Sequence, residues 1–205
     1  LLRRLHLVAE GAAMMTETTV TAEIKAGCYD TLPNLTLNEI MYDNAQLLPD
    51  ISYTAEEQAF ARTLQQNIDP SVVAGSKASM AQMGFQETTD LAQGFQHIPQ
   101  MFRIPMPGSS DIGDVSWITP MGQIMTTCAP SAVQLHTWQA TASFGSSIGM
   151  KGMHLAAQIM AGAALDSFTN PDIIQKAREE FDRNRAGITY KPAIPDDVKP
   201  PQPVA

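Results

Sequence analysis

Two short stretches of this chain carry side chains that could do chemistry together. Ser109, Asp111 and Asp114 lie in a glycine-containing turn, and His136 follows further along the chain. A Gly-Ser-Ser sequence lets the backbone turn tightly, and two carboxylates three residues apart can act at one place. Carboxylate and imidazole groups bind polar substrates and metal ions. The sequence therefore predicts one site formed by this acidic turn and His136.

The residues that flank this predicted site have the character of short β-strands. Residues 115–119 and 122–129 are apolar and rich in β-branched side chains, so each is predicted to form a strand. The acidic turn would then lead into the first strand, and His136 would follow the second strand in a connecting loop. Because sites in α/β proteins collect at strand ends, this arrangement favours an α/β fold.

Periodicity and capping signals predict the remaining elements. Residues 1–15 repeat apolar side chains at helical spacing, and residues 18–26 alternate threonine with apolar residues as a half-buried strand does. Residues 69–100 have no clear period and are predicted to form a loop or lid. The proline-rich residues 190–205 predict an extended tail. Further helices are predicted after Asn34 (35–48), after the Thr54–Glu57 capping box (55–68), at 145–167, and from Pro171 to before Gly187.

Composition limits the class of protein and its partners. The chain has 205 residues, of which 44% are hydrophobic, so it can bury a core. The net charge of −8 argues against nucleic-acid and anionic-membrane partners, which need a concentrated Lys/Arg patch. Cys28 and Cys128 are too few for a disulfide framework, so we expect buried free thiols and a cytoplasmic protein. No apolar run is long enough to cross a bilayer.

Four strings of the sequence together resemble the zinc-dependent aminoacylase and carboxypeptidase family. They are AEGAAMMTETTV at residues 9–20, GSSDIGDVSW at 108–117, HTWQ at 136–139 and KGM at 151–153. The resemblance is to the carboxyl-terminal half of these enzymes, and the helical pattern that starts without a cap or an initiator methionine also suggests a fragment. It implies the carboxyl-terminal part of a metallopeptidase-like α/β catalytic domain over 28–189. The last helix and strand of a ferredoxin-like lid, which mediates dimerisation, would precede it over 1–27.

The same resemblance implies an amidohydrolase that cleaves an amide bond to an amino acid. Its substrate would be p-aminobenzoyl-glutamate, an N-acyl amino acid or a dipeptide, and its cofactor a pair of zinc or manganese ions. His136 matches a late metal ligand, while the other ligands and a glutamate base are expected upstream of this chain. Ser109, Asp111 and Asp114 match positions that border the active site, with roles in substrate binding or loop ordering. The chain alone is therefore expected to be inactive, and the full-length enzyme to be a homodimer or a heteromer with a related subunit.

Two departures from the family pattern keep other functions open. Residues 131–134 read Ser-Ala-Val-Gln where relatives have Gly-Thr-Pro, and Met150 stands where relatives have histidine. One alternative is a non-catalytic or partner-dependent subunit that acts in assembly, and another is a metal-independent amino-acid-binding module. His136 could also only satisfy local hydrogen bonds, and Asp111 and Asp114 could only pin their turn.

Overall fold

The fold is helical throughout the part of the chain that the structure describes. The computed structural model describes residues 1–24, 26–85, 90–96, 110–194 and 198. More than half of these residues lie in helices, and none lies in a β-strand. The helices are α1 (Leu2–Met15), α2 (Leu35–Gln46), α3 (Ala55–Gln65), α4 (Pro70–Gln82), α5 (Ile112–Ser116), α6 (Trp138–Phe144), α7 (Ser147–Thr169) and α8 (Pro171–Arg185).

Helix α7 is the central element, and it packs against α2, α6 and α8. Its buried residues are Ile148, Gly149, Gly152, Leu155, Ile159 and Ala163. Leu155 and Ile159 share an apolar cluster with Ala45 of α2, whereas Ile148 shares a second cluster with Ala61 of α3 and with Leu91. Removing these apolar side chains from water is the main free-energy gain of the fold.

Two glycines let neighbouring backbone approach α7 closely. A Cβ atom on Gly152 would overlap the carbonyl oxygen of Thr127 and lie 2.6 Å from Sγ of Cys128. A Cβ atom on Gly149 would overlap the backbone of Phe144 at the end of α6. Gly149 and Gly152 are therefore required by close packing, because there is no room for a methyl group at either position.

The predicted helix-start caps are confirmed, and a distant helix adds a further cap to α2 that was not predicted. Asn34 caps α2 by accepting a hydrogen bond from the backbone N–H of Leu37, and its amide donates to the carbonyl of Ala177 in α8 at 2.8 Å. Glu180 of α8 accepts from the first two backbone N–H groups of α2, at 2.7 and 2.9 Å. Burial opposes ionisation of Glu180, but these bonds and one from the Thr36 hydroxyl hold its pKa below the ordinary value.

Glu57 is a buried carboxylate that joins α3 to α7. It completes the predicted capping box with Thr54, and its side chain is 9% exposed. It accepts hydrogen bonds from Lys151 Nζ at 2.7 Å and from the Ser147 hydroxyl at 2.6 Å, both on α7. The bond from Lys151, followed by that from Ser147, lowers the pKa of Glu57 to about 2. Lys151 also donates to the carbonyl of Ser52, so the lysine holds two chain segments at once.

The α/β prediction is wrong because the segments predicted as strands do not pair. Residues 18–24 and 122–128 belong to no helix, turn or strand, and no strand lies beside either of them in the described part of the chain. Alternating side chains indicate an extended backbone, but a strand also needs a neighbour for its N–H and C=O groups. A ferredoxin-like lid strand at residues 18–26 therefore does not fit this structure.

The strand predicted at residues 115–119 is replaced by α5 and the turn that follows it. The buried residues here are Gly113, Ser116 and Trp117. Their spacing of three and four is that of one face of a helix, not the spacing of two that a strand requires. The apolar residues Val115 and Ile118, which suggested a strand, are exposed.

The loop or lid predicted over residues 69–100 is wrong where α4 forms. Asp69 caps this helix by accepting a hydrogen bond from the backbone N–H of Ser71 at 2.8 Å, and Pro70 occupies its first turn. None of the residues of α4 is buried, which explains why it has no apolar period. The residues from 86 to 89 and from 97 to 100 lie outside the described part.

Other expectations have mixed outcomes. The helices predicted at 1–15, 35–48, 55–68, 145–167 and from Pro171 are confirmed as α1, α2, α3, α7 and α8. Cys28 was expected to be buried but is exposed, and Cys128 is partly buried; both are free thiols. Most of the predicted tail lies outside the described residues, and the boundaries at 27 and 189 stay predictions. No helix within the described ranges has the length and apolar character needed to span a membrane.

We predict that Glu57→Gln lowers the free energy of unfolding by about 2 kcal/mol at pH 7, because it weakens a buried charged hydrogen bond to Lys151. Folding lowers the pKa of Glu57 from 4.5 to about 2. The contribution of this carboxylate to the free energy of unfolding is therefore complete above pH 4.5 and is lost as the pH falls towards 2. Urea titrations across this range should show the difference between the two proteins shrinking with acidity.

The matched control is Glu56→Gln, which changes the exposed neighbouring carboxylate on the same helix. It should leave the free energy of unfolding nearly unchanged, because exposed charges contribute little. Equal losses for the two variants would contradict the proposed role of Glu57.

Candidate functional site

The predicted acidic turn forms α5, and this short helix holds the segment of residues 29–32. The Ser116 hydroxyl accepts a hydrogen bond from the backbone N–H of Leu32 at 2.8 Å. The indole N–H of Trp117 donates to the carbonyl of Asp30, also at 2.8 Å, and the Trp117 ring meets the Tyr29 ring edge to face. Ser116 and Trp117 of the GSSDIGDVSW string thus hold one neighbouring segment of the chain.

Gly113 makes this contact possible. A Cβ atom at this position would overlap the carbonyl oxygen of Tyr29, so only glycine lets the two backbones approach this closely. Asp114 follows it and accepts a hydrogen bond from the backbone N–H of Tyr29 at 3.3 Å. Much of the string therefore has a structural function, which is to fix residues 29–32 against α5.

The three polar residues predicted in this turn have different surroundings. Asp114 is partly buried and also accepts from the Tyr190 hydroxyl at 2.9 Å, which raises the pKa of Tyr190. Asp111 is exposed, and its carboxylate accepts only a long bond of 3.4 Å from the Ser110 hydroxyl within the described residues. Ser109 lies outside the described residues. Roles for these side chains in substrate binding stay predictions.

The loop that carries His136 is held firmly at its start. The backbone N–H of Ser131 donates to the carbonyl of Asp90 at 2.8 Å, and its carbonyl accepts from the Gln65 amide at 2.7 Å. The backbone N–H of Ala132 donates to the Ser76 hydroxyl of α4 at 2.9 Å. Because α3, α4 and Asp90 all contribute, the loop has a defined position.

His136 itself has a strained backbone and an exposed side chain. Its φ angle is +64°, and that of Ala132 is +68°, both in the left-handed region that favours glycine. Leu135 and Trp138, which flank the histidine, are 66% and 63% exposed. Strained residues of this kind concentrate at functional sites, where the surroundings force the conformation. The imidazole is thus presented to solvent between two exposed apolar side chains.

A threonine completes the turn after His136. The Thr137 hydroxyl accepts from the backbone N–H of Ala140 and so caps α6, while it donates to the carbonyl of Gln134 at 2.8 Å. This pair of bonds, one to each side of His136, fixes where α6 begins. The HTWQ string therefore combines a helix cap with an exposed imidazole.

One charged cluster beneath this loop was missed by sequence reasoning. The Asp90 carboxylate lies 2.6 Å from Lys77 Nζ and 3.8 Å from the Arg62 guanidinium, and its side chain is only 12% exposed. The three residues belong to α3, α4 and the segment after them, so their proximity arises from tertiary packing. No local sequence signal indicates it. The cluster anchors the backbone carbonyl that holds Ser131.

The described residues do not form a complete metal site. Within them, no three His, Cys, Asp or Glu side chains come together as a metal would require. No hydrogen bond or ion pair in the described part joins His136 to Asp111 or Asp114. The role of His136 as a metal ligand therefore stays a prediction.

Comparison with known proteins supports the resemblance seen in the sequence. The chain is 31% identical, over 96% of its length, to a subunit of p-aminobenzoyl-glutamate hydrolase from Escherichia coli (strain K12). The chain thus resembles part of a hydrolase. The match covers 43% of that relative, so this chain spans less than half of its length. No protein-family model and no solved structure matches the chain.

We predict that Gly113→Ala lowers the free energy of unfolding by about 1 to 3 kcal/mol, because the added methyl group pushes α5 away from Tyr29. The control is Gly75→Ala in α4, where a Cβ atom meets nothing within 4 Å. That variant should gain up to about 1 kcal/mol from better helix propensity. Thermal and urea unfolding measure both, and a neutral Gly113→Ala would refute the close contact.

We also predict that His136→Gly is more stable than His136→Ala by about 1 kcal/mol, because glycine adopts a φ of +64° without strain. At His154, within α7, the order should reverse, since glycine disfavours a helix by about 1 kcal/mol relative to alanine. Urea unfolding of the four variants tests this. The same order at both positions would show that the backbone at His136 is not left-handed in solution.

Proposed function

We propose that this chain is part of an amidohydrolase that cleaves an amide bond to an amino acid, with p-aminobenzoyl-glutamate as the first substrate to test. The similarity to one of the subunits of p-aminobenzoyl-glutamate hydrolase over 96% of the chain carries this proposal. The relative is more than twice as long as its matched part, so we assign the activity to an assembly larger than this chain. An N-acyl amino acid or a dipeptide is the wider substrate class.

His136 is the residue of this chain that we assign to the active site. Its imidazole is exposed, its loop is fixed by bonds to three other segments, and its backbone conformation is strained. A group that must meet a substrate needs both access and a defined position, and these features supply them. Leu135 and Trp138 are exposed on either side and would contact the apolar ring of an aromatic acyl group.

A pair of zinc or manganese ions is the cofactor proposed for the complete enzyme. Bound metal ions would polarise the amide carbonyl and lower the pKa of water. In this chain His136 would supply one imidazole ligand, and Asp111 and Asp114 would order the neighbouring turn. Partners would be a second copy or a related subunit. Two separate free thiols, Cys28 and Cys128, agree with the cytoplasmic setting that we propose.

A second candidate function is a non-catalytic or partner-dependent subunit. It is favoured by one departure from the family pattern, which lies at the start of α7. Met150 in place of the family histidine is 51% exposed and has no ligand chemistry comparable to imidazole. In this case the chain would contribute to assembly and leave catalysis to another polypeptide.

We predict that His136→Ala, made in the longest natural polypeptide that carries this sequence, lowers hydrolysis of p-aminobenzoyl-glutamate by about 100-fold or more and reduces bound metal, because a metal ligand is lost. Release of p-aminobenzoate measures the first effect, and elemental analysis the second. His6→Ala, which changes an exposed histidine of α1, is the control and should alter neither.

The outcomes separate the two functions. Unchanged hydrolysis and metal content in His136→Ala would end the role proposed for His136. Wild-type protein that neither binds metal nor hydrolyses the substrate by itself, but raises the activity of a partner chain, would identify the partner-dependent function. A protein that binds acyl amino acids equally well in the presence of chelator would instead be a metal-independent binding module.

A further inference from the structure

The segment after α8 returns to the acidic turn. Ala186 and Gly187, which follow the helix, both have a left-handed backbone, with φ of +50° and +76°. A left-handed residue at this position ends a helix and changes the direction of the chain. The Nε–H of Arg185 then donates to the carbonyl of Ile188. The position of the residues that follow is therefore set by the end of α8.

Tyr190 joins this segment to α5. Its hydroxyl donates to one carboxylate oxygen of Asp114 at 2.9 Å, and the other oxygen accepts from the backbone N–H of Tyr29 at 3.3 Å. These two partners lie 76 and 85 positions from Asp114 in the chain. One carboxylate thus connects three segments that are distant in the sequence.

The aromatic rings and the neighbouring backbone extend this contact. The rings of Tyr29 and Tyr190 lie 5.2 Å apart between their centroids, which is within the range of favourable aromatic pairs. Gly27 also lies beside the returning segment, where a Cβ atom would be 3.1 Å from Cβ of Ala193. The segment therefore packs along residues 27–29 at more than one position.

The hydroxyl of Tyr190 is suited to hold Asp114 in place. A hydrogen bond to a carboxylate is stronger than one between neutral groups. The bond to Asp114 also raises the pKa of Tyr190 above 10.0, so the phenol stays protonated and remains a donor at neutral pH. Without it, among the described residues the Asp114 carboxylate would keep only the bond from Tyr29, which is longer than usual for an N–H to oxygen bond.

The turn itself has few other restraints. Ser110 and Asp111 are exposed, and among the described residues their hydrogen bonds stay within residues 110–115. Such local bonds shape the turn but do not fix it to the rest of the molecule. Its position therefore depends on the residues of α5 that are held by other segments, and Asp114 is the one nearest to the turn that binds two of them.

We propose that Tyr190 is a positioning residue for the acidic turn: by holding Asp114 against Tyr29, it keeps residues 110–114 in the conformation that receives the substrate. This inference rests on the proposed function, in which the turn borders the active site. The segment after α8 then acts as a strap on the candidate site. A turn that is correctly placed only part of the time raises the apparent dissociation constant in inverse proportion to that fraction, while bound substrate reacts as before.

The test compares Tyr190→Phe with wild type in the longest natural polypeptide that carries this sequence. The substitution keeps the ring and removes only the hydroxyl. We expect KM for p-aminobenzoyl-glutamate to rise about tenfold and kcat to change less than about twofold. Hydrogen exchange at the backbone amides of Tyr29 and Gly113 should become about tenfold faster, because both report local opening of this contact. Circular dichroism should show unchanged helix content.

The matched control is Lys191→Gln, which changes the exposed neighbour of Tyr190 and should alter neither KM nor exchange. A second variant, Asp114→Ala, removes the acceptor. In that background Tyr190→Phe should have no further effect on KM, because the two substitutions break the same bond. A tyrosine that only packs against Tyr29 would not show this dependence on the carboxylate.

Three results would overturn the proposal. The first is unchanged hydrogen exchange in Tyr190→Phe, and the second is faster exchange with an unchanged KM. The third is an equal rise of KM for Tyr190→Phe with and without the Asp114 carboxylate. Wild-type protein that does not hydrolyse p-aminobenzoyl-glutamate would instead contradict the proposed function, and the exchange measurement alone would then decide whether Tyr190 orders the turn.

Discussion

The buried carboxylate of Glu57 is the interaction on which the arrangement of the helices depends most. It satisfies the first turn of α3, and at the same time it binds two side chains on the first turns of α7. A carboxylate removed from water is costly unless charged and polar donors surround it, and here Lys151, Ser147 and the Thr54 amide do so. The position of α3 relative to the central helix is therefore fixed by directional bonds, to which the apolar cluster of Ala61, Leu91 and Ile148 adds burial.

The position of the candidate site depends on this contact between α3 and α7. Because α3 is fixed, Gln65 near its end can hold the carbonyl of Ser131, and α4 can present Ser76 to the next residue. These bonds set the position of a loop whose later residues force His136 into a left-handed conformation. The exposed imidazole thus depends on contacts that begin at Glu57, far earlier in the chain.

Local signals in the sequence predicted five of the eight described helices and missed α4, α5 and α6, and they predicted tertiary relationships poorly. Asn34, the Thr54–Glu57 pair and Pro171 mark helix starts, because capping involves residues within one turn of each other. The strands failed because pairing requires a distant neighbour, which no local pattern reveals. The buried residues of α5 are a glycine and a serine, so the positions of the apolar side chains did not reveal which face of the helix is buried.

Only part of the candidate site could be predicted from the sequence. His136 was found through its resemblance to a family string, and its exposure and strained φ angle emerged only from the structure. The GSSDIGDVSW string looked functional, yet Gly113, Ser116 and Trp117 hold residues 29–32. Lys151 and Gly152 of the KGM string likewise serve packing and a buried charge. A string that resembles an enzyme motif can thus stabilise the architecture as well as take part in chemistry.

The cap that α8 provides for α2 has a consequence for the order of events during synthesis. Glu180 and the residue whose N–H it accepts, Leu35, are 145 positions apart. While a ribosome is still producing the intervening chain, the start of α2 has only Asn34 to satisfy its amides. Its remaining donors stay in contact with water until α8 emerges. The start of α2 and the middle of α8 must therefore join late, and a nascent chain that stops before residue 180 would expose this region to proteases.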